Sequence, residues 1–230
     1  MLGVYDYTVI LTYLSTISGV TGIIVTMTGI GHPYLGTVFL MLSGMMDAFD
    51  GKVARTKSNR SEFEKDFGVQ IDSMSDLICF GVLPVAIGLA QLRVSGIFTE
   101  LVRRRDYEGR LWVVVLLITV AIFYSLAALI RLAYFNATVK ERNAVKEETG
   151  IEYFAGLPVT SAALVFPLTL IAHYFTRADL TVFYFFIMLL MAMLFVCNVR
   201  VRKPGNKGLV IIFVIGIAEL AATLFILFGG

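Results

Sequence analysis

Seven runs of apolar residues, at about 8–30, 34–53, 72–92, 111–137, 155–175, 180–199 and 208–228, govern what this chain can fold into. Each is close to the roughly 20 residues that a helix needs to cross a bilayer. In hydrocarbon the backbone must satisfy its own N–H and C=O groups, so runs of this length specify helices. The composition agrees. Of 230 residues, 58% are hydrophobic and 16% charged, against about 45–50% and about 25% in soluble domains. The expectation is an all-α, multi-pass membrane helix bundle, with six core transmembrane helices and one additional C-terminal helix. No internal repeat or low-complexity segment divides it, so residues 1–230 read as one domain, with a core of about 8–200 and the extra helix at about 208–228. A net charge of +2 gives no reason to expect a nucleic-acid partner. The first run lacks a basic segment before it and a small-residue cleavage site after it, and reads as a retained helix.

Basic residues near the span ends set the orientation. Lys52, Arg55, Lys57, Arg60 and Lys65 lie between spans 2 and 3, Arg131, Lys140, Arg142 and Lys146 between spans 4 and 5, and Arg200, Arg202, Lys203 and Lys207 between spans 6 and 7. All three segments fall on one side, which is expected to be cytoplasmic. The segment 93–110 disagrees, because Arg93, Arg103, Arg104, Arg105 and Arg110 fall on the other side. An interfacial helix around "IFTELVRRRDY" would account for it.

Against this apolar background stand four carboxylates, in "DAFDGKVAR" (47–55) and "GVQIDSMSD" (68–76). Asp47, Asp50, Gly51 and Ala54 share one helix face, as do Gly68, Asp72 and Asp76 on the next span. Antiparallel neighbours joined by a short cytoplasmic loop bring these faces together. A lone charge at a helix centre in the bilayer costs about 2.5–3.5 kcal/mol, and four converging carboxylates also repel one another. Hard divalent cations resolve both problems, since all-oxygen donor sets suit Mg²⁺, Mn²⁺ or Ca²⁺. Two such ions about 3.5–4 Å apart form the arrangement used for phosphoryl transfer. The competing reading pairs these aspartates with Lys52, Arg55 and Lys57 near the interface.

Asp47-x-x-Asp50-Gly51-x-x-Ala54-Arg55 followed by Gly68-x-x-x-Asp72-x-x-x-Asp76 resembles the signature of the CDP-alcohol phosphotransferase family. The resemblance implies an integral membrane enzyme that displaces CMP from a CDP-linked lipid or alcohol, with two divalent cations, Mg²⁺ or Mn²⁺, as cofactors. It implies that Asp47, Asp50 and Asp72 ligate metal, and that Asp76 both ligates and acts as general base. Gly51, Ala54 and Gly68 would admit the nucleotide, Arg55 would pair with a phosphate, and Ser61 would contact a phosphate from the loop. It also implies a homodimer. This chain departs from the family in one respect. Twelve residues, "TKSNRSEFEKDF", separate Arg55 from Gly68 where about eight are usual, and the extra length is expected in a polar loop.

"RLAYFN" (131–136), "FAGLPVTSA" (154–162) and "DSMSDLICFGVLP" (72–84) are similar to stretches of the phosphatidylserine synthase branch of that family. Tyr134 and Thr160 stand where the branch often has Arg and Pro. The resemblance implies CDP-diacylglycerol and L-serine as substrates, giving phosphatidylserine and CMP at an active site facing the cytoplasm. Serine carries a carboxylate, for which Arg131 is the candidate cation, Asn136 a hydrogen-bonding partner and Lys140 a second cation. Glycerol 3-phosphate or an inositol phosphate would also want cations, so charge leaves these acceptors open. A reading of another class, a divalent-cation transporter, is disfavoured by the lack of a repeat and by aspartates set near one interface. Cys79 and Cys197 read as small core residues, His32 and His173 lie toward the opposite side, and Glu219 is expected at a helix–helix contact between subunits.

Overall fold

The computed structural model describes residues 3–29, 32–103, 107–139, 153–176, 178–198, 200–202 and 206–229. Nine α-helices carry them: α1 Tyr7–Thr28, α2 Pro33–Ala54, α3 Glu62–Asp76, α4 Leu83–Val94, α5 Gly96–Arg103, α6 Tyr107–Ala137, α7 Ala162–Thr176, α8 Thr181–Val196 and α9 Asn206–Phe228. A π-helical turn, Leu77–Val82, joins α3 to α4, so Glu62–Val94 forms one membrane-length rod. Four further stretches have the length and apolarity to span: Tyr7–Thr28, Leu111–Ala137, Val159–Thr176 and Val210–Phe228. Thr181–Val196 is a shorter apolar helix. α2 has 22 residues but carries Asp47 and Asp50, which lower its apolarity. The all-α membrane bundle expected from the sequence is therefore the architecture observed.

Local chemistry fixes the helix ends. Asp6 caps α1 by accepting from the Thr8 N–H, and Gly29 closes it at φ +72°, a conformation that costs glycine least. Ser61 and Glu64 form a reciprocal capping box at the start of α3, the side chain of each accepting from the backbone N–H of the other. This cap corrects one expectation. Only Arg55–Arg60 and the cap itself form the connection after α2, and "EFEKDF" is already helix. The extra length therefore extends α3.

The π turn has a visible cause. Pro84 has no N–H to offer the carbonyl one turn back, and the hydroxyl of Tyr124 donates to the Phe80 carbonyl instead, at 2.6 Å. Ser125 donates to the Gly81 carbonyl at 2.8 Å and Tyr184 to the Pro84 carbonyl at 2.8 Å. Tyr124, Phe166, Tyr184 and Phe195 pack around this turn and form the centre of the core. α1 lies against the same turn because Gly19 has no side chain; a Cβ there would stand 2.5 Å from the Cys79 sulfur.

Arg93 explains part of the anomalous basic segment. Its guanidinium donates to the carbonyls of Thr26 and of Met27, the latter at 3.1 Å, and so caps the end of α1. The helix anticipated at "IFTELVR" is α5. Arg104 and Arg105 lie outside the described residues. One element went unanticipated: Tyr153–Ala155 and Arg200–Arg202 pair as a short antiparallel ribbon, with Phe154 opposite Val201. Cys79 is fully buried, but Cys197 is exposed at the end of α8, contrary to its reading as a core residue. Glu219 is buried within the chain itself, on the helix that packs against α2 and α7, rather than on an exposed face.

Candidate active site

The C-terminal end of α2 and the α3 rod bring the aspartates together. Asp47, Asp50 and Asp72 each offer a carboxylate oxygen, all within 4.8 Å of one another. Asp76, one turn beyond Asp72, neighbours Asp47 but lies outside that group of three. Asp50 is buried and accepts from the Thr12 hydroxyl of α1 at 3.1 Å. Thr12 also accepts, through its carbonyl, from Ser75 at 3.3 Å, so α1 is tied to both acidic helices.

Among the described residues, the basic side chains nearby form no ion pair with the cluster. Among the described residues the ion pairs are Lys57 with Asp6 at 2.6 Å and Lys57 with Glu64 at 2.7 Å. Lys52 stands over the Phe49 ring at 5.7 Å, and the Arg55 guanidinium lies beside Gly51. The reading in which Lys52, Arg55 and Lys57 pair with the four aspartates is thereby removed. One oxygen of the cluster, Asp72 Oδ1, is buried and has no hydrogen-bond partner among the described residues. Buried acceptors left in this condition are costly. An all-carboxylate donor set with an unpartnered buried oxygen fits a hard divalent cation.

Beside the acids opens a cavity of about 180 Å³, lined by Asp50, Asp72, Gly51, Ala54, Gly68 and Arg55 together with Arg60, Lys65 and residues of α1. Six positions of the two-part motif thus face one space. Thr12, Arg60 and Lys65 were not anticipated there. A signal for Lys65 existed: once Ser61 and Glu64 are read as a cap, Lys65, Gly68 and Asp72 fall on one helix face.

The other anticipated residues are placed differently. Ser61 is occupied as a helix cap, accepting from the Glu64 N–H at 3.2 Å, and it does not line the cavity. Asn136 donates to Ser73 Oγ at 2.9 Å, which anchors the end of α6 next to Asp72. Arg131 is buried, with its Nε donating to the Leu157 carbonyl at 3.3 Å and its guanidinium over the Phe135 ring. Lys140 lies outside the described residues. His32 and His173 line a separate cavity of about 810 Å³ at the opposite end of the bundle.

With the acids, small residues and cations facing one space, comparison with known proteins is informative. Residues 8–225 match the family described as CDP-alcohol phosphatidyltransferase. The chain belongs to that family. Relatives within it include the CDP-diacylglycerol–serine O-phosphatidyltransferase of Saccharomyces cerevisiae, 35% identical over 142 residues, which are 61% of this chain and 43% of that protein. The enzyme of the same name from Methanocaldococcus jannaschii is 26% identical over 180 residues, 77% of this chain and 69% of the relative. That from Helicobacter pylori is 28% identical over 165 residues, 70% and 57% respectively. The match to the yeast CDP-diacylglycerol–serine O-phosphatidyltransferase thus spans less than half of that protein's length.

Proposed function

We propose that this protein transfers a phosphatidyl group from CDP-diacylglycerol to the hydroxyl of L-serine, releasing CMP. The observation that carries the reading is the convergence of Asp47, Asp50 and Asp72 beside a cavity whose floor is Gly51, Ala54 and Gly68 and whose cations are Arg55, Arg60 and Lys65. Relatives named for this transfer, found in a yeast, an archaeon and a bacterium, favour serine over glycerol 3-phosphate or an inositol phosphate.

Asp47, Asp50, Asp72 and Asp76 would hold two divalent cations, Mg²⁺ or Mn²⁺, which when bound neutralise charge on the attacked phosphate and the leaving CMP. Thr12 holds the Asp50 carboxylate in its orientation. Asp76 takes the proton from the serine hydroxyl, whose oxygen forms the new bond to phosphorus as the bond to CMP breaks. Arg55 balances phosphate charge in a site partly shielded from water. The serine carboxylate is assigned to Arg131, with Asn136 beside it and Lys140 as a further cation. The site faces the cytoplasm, a reading supported by Lys52, Arg55, Lys57, Arg60 and Lys65 at its end of the bundle. A homodimer belongs to the same reading.

The test supplies the purified protein with CDP-diacylglycerol, Mn²⁺ or Mg²⁺, and each acceptor separately. CMP release with serine alone is expected. Release with glycerol 3-phosphate or inositol phosphate instead would reassign the acceptor. No release with any acceptor, together with metal flux in liposomes, would overturn the enzyme reading.

A further inference from the structure

Arg60 lies in the connection between α2 and α3, in the stretch that is longer than usual for the family, and its side chain folds back toward the cavity. One terminal nitrogen, Nη2, donates to the Glu64 carbonyl at 2.9 Å. Its Nε is buried without a hydrogen-bond partner among the described residues. No carboxylate lies within ion-pairing distance of it among the described residues. A guanidinium stays charged in proteins, so a buried Nε with no acceptor marks a group whose best partner is elsewhere.

The surface that Arg60 covers is Gly68. A Cβ on Gly68 would stand 2.6 Å from Arg60 Nη2, so the absent side chain is what lets the guanidinium rest there. Gly68 belongs to the motif whose small residues are assigned to nucleotide approach, and Arg60 therefore occupies space that the nucleotide needs. Size argues the same way. The cavity measures about 180 Å³, whereas sites for small organic ligands run to about 300–1,000 Å³. The Arg60 side chain is a movable wall, because its far end is flexible and one carbonyl bond holds it. Gly51, Ala54 and the aspartates are fixed on helices.

We propose that Arg60 is a phosphate-binding residue of the donor site, turning from the Glu64 carbonyl and Gly68 to the diphosphate of the CDP group as the donor enters. Planar guanidinium donors match phosphate oxygens two at a time. Arg55 and Lys65 line the same cavity, so the diphosphate would meet three cations across from the metal-binding acids. This inference rests on the CDP-dependent reading above.

Calorimetric titration of the full chain in lipid nanodiscs, with Mn²⁺ present, separates the two. CDP, CMP and cytidine are the probes, and Arg60→Ala and Arg60→Lys are the variants. Arg60→Ala is expected to weaken CDP about tenfold or more, while cytidine binding stays as in the unaltered protein. Arg60→Lys, which keeps the charge but not the fork, should fall between and serves if the alanine variant does not fold. A loss for CDP of less than about threefold, or an equal loss for cytidine, overturns the role of Arg60 alone. Failure of the unaltered chain to bind CDP overturns both readings.

Discussion

Thr12 donates its hydroxyl to Asp50 Oδ2 at 3.1 Å across 38 positions of sequence. The bond ties the first membrane helix to the acidic end of the second and fixes one rotamer of a carboxylate assigned to metal. Groups that orient metal ligands typically matter by about 10–100-fold in metal affinity. Thr12→Val keeps the shape and removes the donor. It should raise the Mn²⁺ concentration for half-maximal CMP release about tenfold and leave the rate at saturating metal nearly unchanged. Thr12→Ser should behave as the parent. Superimposable metal titrations for the valine variant would show that Thr12 only packs.

Asp76 is the base assigned to the serine hydroxyl, and it lies on the rod that also carries Asp72. Asp76→Asn is nearly isosteric and removes both proton acceptance and a metal ligand. Turnover should fall by about 10²–10⁴-fold, while the thermal midpoint in detergent changes little. A variant that retains activity would take the base role from Asp76.

These two residues also show where sequence is readable. Asp76 is legible because Gly68 and Asp72 precede it at steps of four on one helix, and the capping, packing and metal chemistry of such a face are local. Thr12 looked like any polar residue in an apolar run, because its partner arrives only when α1 and α2 pack. Five of the membrane spans were legible from apolarity alone. The start of α3 was not, since "EFEKDF" is polar on the surface side, yet Ser61 and Glu64 encoded its cap in plain view. The ribbon between Tyr153–Ala155 and Arg200–Arg202 carries no such signal. Three residues are too few to show a strand period, and the pairing joins segments far apart in sequence.

Lys57 joins Asp6, the cap of α1, to Glu64, the partner in the cap of α3. Hydrogen bonds from Lys57, then from the Thr8 hydroxyl, hold the Asp6 carboxyl down at about 2 from the usual 3.8. A depressed acid stabilises the fold above its unfolded value and loses that contribution only as pH falls toward about 2. The hydrogen bonds to Asp6 and Glu64 raise Lys57 above 10.5, so its contribution is complete below that value and fades only above it. Asp6→Asn should therefore lower the thermal midpoint equally at about pH 5 and about pH 9, and less at high salt. A deficit that disappears by about pH 5 would contradict the assignment.

Tyr124 tests the cause given for the π turn. Its hydroxyl is the donor that the Phe80 carbonyl uses where Pro84 has none. Tyr124→Phe leaves the ring packing with Phe166 and Phe195 intact and strands a buried carbonyl, a loss of about 1–3 kcal/mol. Thermal unfolding in a fixed detergent should register it, with metal affinity lowered as well because the turn follows directly on Asp76. An unchanged midpoint would mean that the carbonyl finds another donor.

Arg131 carries the assignment of serine, and its test must separate substrate binding from structure. Its Nε already serves the Leu157 carbonyl at 3.3 Å, so removing the side chain would disturb the 157–161 turn as well as any carboxylate site. Arg131→Lys keeps the charge and loses the planar fork. If the guanidinium receives the serine carboxylate, KM for serine should rise about tenfold or more while KM for CDP-diacylglycerol stays within about twofold. The thermal midpoint should fall only slightly. Asn136→Ala removes the amide proposed beside the serine carboxylate and also frees Ser73 beside Asp72, so it should raise KM for serine and disturb CDP-diacylglycerol as well, because it loosens α6 from the helix that holds the acids. Equal rises in both KM values for Arg131→Lys would place Arg131 with Asn136 among the residues that position the helix, and would move the serine carboxylate to another cation of the site.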